Sequence, residues 1–169
     1  MNIKYHKGDL FNMLPDHHGV VIPHVCNNMG GWGRGFVVAL SKRWPDGLSP
    51  EHNYRHWYAS RGVKAASHAA NGTIPFELGQ VQFCKTTDTN ITVANMIAQN
   101  GTVSDHNLKP IRYAALVSCM QQVSDHCHCQ EIHAPKFGSA LAGGNWELIE
   151  ELIEELWCGR GLSVHVYEL

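Results

Sequence analysis

The feature that most constrains this chain is a short apolar run, Val20 to Cys26 (VVIPHVC), that passes directly into Asn27–Gly35 (NNMGGWGRG) and then into FVVALSKRW. A dense apolar run of this length reads as a strand buried on both faces, which alternation with polar residues would not give. The glycine-rich stretch is a loop, and the segment after it has helical character until Pro45 stops it. Strand, glycine loop and helix in that order imply an α/β protein in which strands and helices take turns. Pro23 is awkward within a central strand because it has no N–H for the ladder, so an irregularity is expected there.

The rest of the chain repeats this alternation. Asn2–Lys7 is short and β-like, followed by the turn pair Gly8-Asp9. Ser49 with Pro50 reads as the N-cap and first position of a helix running to Ser60. Leu78–Lys85 and Ile91–Ile97 read as a hairpin, and Pro110 to about Asp125 has helical spacing. Glu131–Ala134 is a short strand entering a second glycine-bearing loop, Pro135–Gly144. Asn145 then caps a helix whose Leu148, Ile149, Leu152, Ile153 and Leu156 form one stripe, with Gly159 expected to end it near the left-handed conformation. Its glutamates form a solvated face, and Ser163–Glu168 closes the chain as a strand. With no repeat and no linker, residues 1–169 are expected to form one domain.

Composition removes several function classes. A net charge of −2 takes away the electrostatic case for a duplex nucleic-acid binder. No apolar run reaches the ~20 residues of a membrane span, and the first residues lack a signal-peptide core. Six cysteines without paired spacing point to reduced thiols and a cytoplasmic setting. Oligomeric state is left open.

Two loops carry the candidate chemistry. Each follows a strand and leads into a helix, and such loops converge on the crevice at the carboxyl ends of strands in open α/β sheets. Glycines allow close approach of a ligand, and a helix N-terminus favours phosphate. Two helix N-termini facing one crevice would suit a diphosphate. The spacing matches neither the P-loop nor the dinucleotide fingerprint, and Arg34 offers a charge-assisted contact.

The ordered pieces Gly8-Asp9-Leu10-Phe11, His24-Val25-Cys26-Asn27 and Gly30-Gly31-Trp32-Gly33-Arg34-Gly35 resemble the macrodomain family. They are similar in particular to the branch of terminal ADP-ribose glycohydrolases and ADP-ribose-1''-phosphate phosphatases. Ala134-Pro135-Lys136-Phe137-Gly138 through Trp146, and the closing Val166-Tyr167-Glu168-Leu169, extend the likeness over nearly the whole chain. The resemblance implies a three-layer α/β/α fold with a mixed central sheet and an ADP-ribose cleft at its strand ends. It implies that Asp9 accepts from the adenine amine and that Asn27 contacts the distal ribose. Gly31, Gly33, Arg34 and Gly35 would line the distal ribose and phosphates, with backbone contacts from Gly138, Ser139, Ala140 and Leu141. Trp32 and Phe137 would pack against the sugars or close over them. No cofactor or metal is implied.

The likeness thins where catalysis would begin. Gln99 stands where the branch's glycohydrolases use a nucleophilic lysine, and Ala142 stands where they use its partner aspartate. Phe36-Val37-Val38 replaces the aspartate-bearing stretch of a different branch. His24 is the remaining catalytic candidate, a proton carrier for releasing phosphate from ADP-ribose-1''-phosphate. The alternative is a module that binds or sequesters ADP-ribose without turnover. Asp125-His126-Cys127-His128-Cys129 offers metal-ligand types, but alternation on an extended chain would split them between two faces.

Overall fold

The computed structural model describes residues 2–45, 47, 49–62, 74–128 and 130–169. Its elements run β1 (Lys4–Lys7), β2 (Val20–Asn27), α1 (Phe36–Arg43), α2 (Pro50–Ala59), β3 (Val81–Lys85), β4 (Ile91–Gln99), α3 (Tyr113–His126), β5 (Glu131–Pro135), α4 (Trp146–Leu156) and β6 (Val164–Glu168). The strands form one sheet in the order β1-β6-β5-β2-β4-β3. All neighbours are parallel except the β3–β4 hairpin, so the sheet is mixed.

Two apolar layers sandwich the sheet. Val20 and Ile22 of β2 and Val93 and Ile97 of β4 pack with Leu40, Trp44, Tyr54 and Trp57 of the α1–α2 side. Val21 of β2, Ile132 and Ala134 of β5 and Val164 and Val166 of β6 pack with Leu116, Met120 and Val123 of α3 and Ile149 and Ile153 of α4. A strand with apolar residues facing both layers has no polar face to show, hence the unbroken run at Val20–Cys26. The result is a three-layer α/β/α sandwich.

Local signals explain most boundaries. Ser49 accepts from the His52 N–H with Pro50 following it, and Asn145 accepts from the Glu147 N–H. Three expectations need correction. Pro23 sits in register opposite Ala94, and the irregularity of β2 lies at Cys26/Asn27 instead. The ladder from β2 to β5 ends at Val21, so beyond it one side of β2 behaves as an edge, a setting that tolerates proline. Gly159 does not end α4: the chain tightens into a 3-10 turn, Cys158–Arg160, and Gly161 takes the left-handed conformation with φ of 86°. Asp125 and His126 belong to the last turn of α3 and not to an extended segment, and the His126 ring stacks on Phe83; Cys127 is extended, and Cys129 lies outside the described residues. Cys26, Cys84, Cys119, Cys127 and Cys158 are free and buried. Among the described residues no helix is long and apolar enough to cross a membrane.

Candidate functional site

The cleft arises from topology. The helices after β2 lie on one face of the sheet and the helix after β5 lies on the other, so the connections part between β2 and β5. Those strands pair only at Val20–Glu131 and Val21–Ile132, and their carboxyl ends are free to separate. A crevice at such a switch point is where open α/β sheets bind ligands. Here it is a cavity of about 390 Å³ bounded by both glycine loops, within the usual range of small-molecule sites, roughly 300–1,000 Å³.

The first loop is wired by side chains. The Asn27 Oδ1 accepts from the N–H of Met29 (2.9 Å) and Gly31 (3.0 Å), while its Nδ2 donates to the Gly31 carbonyl (3.0 Å). The Tyr54 hydroxyl donates to the Asn27 carbonyl (2.5 Å) and lies 3.0 Å from its Oδ1. Asn28 ties the loop to the segment after β4, donating to the Asn100 Oδ1 and accepting from the Gly101 N–H. The Trp32 indole donates to the Ser41 Oγ, which donates to Glu51, and Arg55 bridges Glu51 and the Trp32 carbonyl. Asn27 therefore shapes the loop first, with one amide hydrogen left for a ligand.

The consequence is a row of free donors. Among the described residues the N–H groups of Trp32, Gly33, Arg34 and Gly35 have no hydrogen-bond partner. Gly35 precedes α1 with φ of 82° and no side-chain cap, so that helix also presents unpaired first-turn donors beside Phe36 and Val37. A Cβ at Gly35 would stand 3.3 Å from the Leu141 side chain, so glycine lets the two loops close on one another.

The second loop is held mainly by its own backbone, with the Ile111 N–H donating to the Ala142 carbonyl from outside it. Phe137 donates to Pro135, Gly143 to Ala140 and Gly144 to Gly138. Among the described residues the N–H groups of Gly138, Ser139, Ala140, Leu141 and Ala142 lack partners. Gly138 has φ of 77°. The expectation of two helix N-termini in the crevice is corrected here: Asn145 and Trp146 do not line the cavity, and Asn145 already caps α4. The second loop contributes its own amides instead.

His24, Asn27, Gly31, Trp32, Gly33, Arg34, Gly35, Phe137, Gly138, Ala140 and Leu141 come together on the cavity wall. Asp9 and Ser139 do not: Asp9 caps a 3-10 turn through the Phe11 N–H, and the Ser139 hydroxyl donates to the Lys136 carbonyl. Trp32 and Phe137 line the cavity with little of their surface exposed, each belonging to one apolar layer. Gln99 and Ala142 both reach the wall. Sequence reasoning missed Thr102 and Val103, which also line it; only the fold brings the chain after β4 to this place.

His24 is buried at 2% exposure. The Asn95 amide nitrogen faces the Pro50 carbonyl and Gln82, so its oxygen faces His24, which must donate from Nε2. Burial pushes the imidazole down to about 4, against the opposing pull of the Asn95 bond. Trp32 meets the ring edge-on. Lys136 is ion-paired with Glu168 and lies over the Trp146 ring.

No protein-family model matches the sequence. A structure of a protein of unknown function from Bacteroides thetaiotaomicron is 40% identical over 100% of this chain and 99% of that chain, with a TM-score of 0.84. A macrodomain protein from Streptomyces coelicolor is 35% identical over 99% of both chains, with a TM-score of 0.77. An ADP-ribose 1''-phosphate phosphatase from Candida albicans is 23% identical over 160 residues, 90% of this chain and 92% of that protein. Thermosipho africanus DarTG, solved in complex with ADP-ribose, has the same fold over 97% of this chain and 41% of that one, at 12% identity and a TM-score of 0.68.

Proposed function

This chain belongs to the macrodomain family, and on that premise we propose that its cleft binds ADP-ribose or a terminally modified ADP-ribose. The observation that carries the reading is the pair of unpaired N–H rows, 32–35 and 138–142, on the two loops that bound one cavity. A diphosphate needs many donors and little bulk, and free backbone amides supply them without side-chain entropy. Arg34, exposed at the rim, adds charge to the phosphates, and the remaining Asn27 amide hydrogen serves the distal ribose. Asp9 lies beyond the cavity wall; one carboxylate oxygen caps the Phe11 N–H and the other is assigned to the adenine amine.

Calorimetric titration with ADP-ribose tests the reading directly, with micromolar affinity expected. Asp9→Ala should weaken ADP-ribose well beyond its effect on ribose phosphate, by about 1–3 kcal/mol for a charge-assisted bond. Equal losses for the two ligands would remove Asp9 from adenine recognition.

The name of the Candida relative supports a second reading, release of phosphate from ADP-ribose-1''-phosphate, with His24 as the proton carrier. The burial of His24, its Nε2 bond to Asn95 and its depressed pKa all work against that role. Binding is therefore the primary reading. A phosphate-release assay on ADP-ribose-1''-phosphate separates the two, and turnover abolished by His24→Ala with ADP-ribose affinity retained would restore the phosphatase.

A further inference from the structure

The second site lies on the same sheet, at the amino-terminal ends of β5 and β6, while the cleft lies at the carboxyl ends. Ile132, Ala134, Val164 and Val166 face α3 and α4, so strand alternation turns Glu131, His133, His165 and Tyr167 to the other face. There the His133 Nε2 lies 3.0 Å from one Glu131 carboxylate oxygen, and the His165 Nε2 lies 3.7 Å from the other. One ligand atom from each of the three residues falls within 4.8 Å of the other two. We propose that Glu131, His133 and His165 form a binding site for a single divalent transition-metal ion of the Zn²⁺ class.

Three observations converge on this assignment. First, the donor set of two imidazoles and a carboxylate suits zinc, with the fourth position left to water. Second, the far nitrogen of each ring already has a partner: His133 Nδ1 lies 2.7 Å from the Tyr167 hydroxyl, and His165 Nδ1 lies 2.8 Å from the His6 Nε2. Beside the Glu131 carboxylate, His133 holds its proton on Nε2 and accepts from the Tyr167 hydroxyl; on metal binding that Nε2 proton leaves, and Tyr167 and His6 are placed to accept from the two Nδ1–H groups, as metal-binding histidines require. His18, at 2.8 Å from Glu131, holds the carboxylate in place from outside and is a positioning residue. Third, the site is lined by nearly buried ligands with a way in: the His133 and His165 side chains are 3% and 13% exposed, while Glu131 is 28% exposed. Loading requires the parallel rings of His133 and His165, 4.3 Å between centroids, to splay about their side-chain torsions. The bound ion would tie β5 to β6 and stabilise the fold by mass action.

The test uses tag-free full-length protein stripped with a chelator, because twelve histidines offer other weak sites. Zn²⁺ is titrated against a chromophoric competitor, and Co²⁺ reports coordination by its visible absorption. One equivalent of Zn²⁺, a four-coordinate Co²⁺ spectrum and a Tm raised by zinc are expected. His165→Ala and Glu131→Gln should abolish stoichiometric binding, and His18→Ala should weaken it about tenfold or more. Since His133 is buried, His133→Ala is read only if its circular dichroism is native; His165→Ala and the exposed His18→Ala decide otherwise. The double variant His52→Ala/His56→Ala, which removes a stacked pair on α2, should bind zinc as the wild type does. No stoichiometric binding, or binding that survives His165→Ala and Glu131→Gln, overturns the proposal. ADP-ribose affinity plays no part in any of these outcomes, so the metal site stands or falls separately from the cleft.

Discussion

The two loops of the cleft present the same chemistry by different means. The 27–35 loop is held by side chains from its own residues and from α2, above all Asn27 and Tyr54. The 135–144 loop is held mainly by backbone bonds, three within it and one from the Ile111 N–H to the Ala142 carbonyl, and by packing of Phe137 beneath it. Both carry free amide donors on loops that bound one cavity. Short of proline, no substitution removes a backbone donor, so a cleft made of them is altered mainly by changing the shape of the loop that carries them.

That contrast is easiest to break where the loops touch. Gly35→Val adds a side chain against Leu141 at a position with φ of 82°, and backbone strain there is about 1–3 kcal/mol. ADP-ribose affinity should fall by about 100-fold, equivalent to about 3 kcal/mol. Calorimetry that finds affinity retained would mean that the loops do not clamp one ligand.

Acid should loosen the first loop before the second. His24 lies beneath the first loop with its pKa pushed down to about 4 from an ordinary 6.5. Because the unfolded chain takes up a proton more readily, stability is full above about pH 6.5 and falls as pH drops toward 4. The total is about 3 kcal/mol for this fully buried group. Thermal melts of wild type and His24→Gln across pH 7 to 4 measure it; identical pH profiles would show that His24 is not the group titrating.

Asn27→Ala sharpens the comparison at a smaller scale. It strips acceptors from the Met29 and Gly31 N–H groups and from Tyr54, at a cost of about 1–3 kcal/mol. Hydrogen exchange should rise at the bonded Met29 and Gly31 amides and stay unchanged at those of Gly143 and Gly144. The smallest effect belongs to Ser139→Ala, since its exposed hydroxyl reaches only the Lys136 carbonyl. Stability should move by less than about 0.5 kcal/mol, and ADP-ribose affinity should not change. A large loss of affinity would bring the Ser139 hydroxyl into the site.

Much of the fold was legible in sequence because local rules set it. The apolar run at Val20–Cys26, the hairpin of β3 and β4, and the caps at Ser49 and Asn145 each reflect a few neighbouring residues. Legibility failed where a partner far along the chain decides. Pro23 is tolerated because β5 leaves β2 after Val21, and nothing near Pro23 announces that. Thr102 and Val103 line the cavity because the segment after β4 is tied to Asn28 on one side and to Asn107 on the other. Asn27 reads as a ligand contact in sequence, yet most of its amide is spent on its own loop.

The sequence by itself determined the alternation of strands and helices, the two glycine loops and the family likeness, because periodicity, turn chemistry and motif order are local properties of the chain. Tertiary structure alone decided which donors remain free, that α4 stays out of the cleft, and that histidines and a glutamate distant in sequence meet on one sheet face. Those outcomes depend on strand order and register, which bring together residues that no local pattern connects.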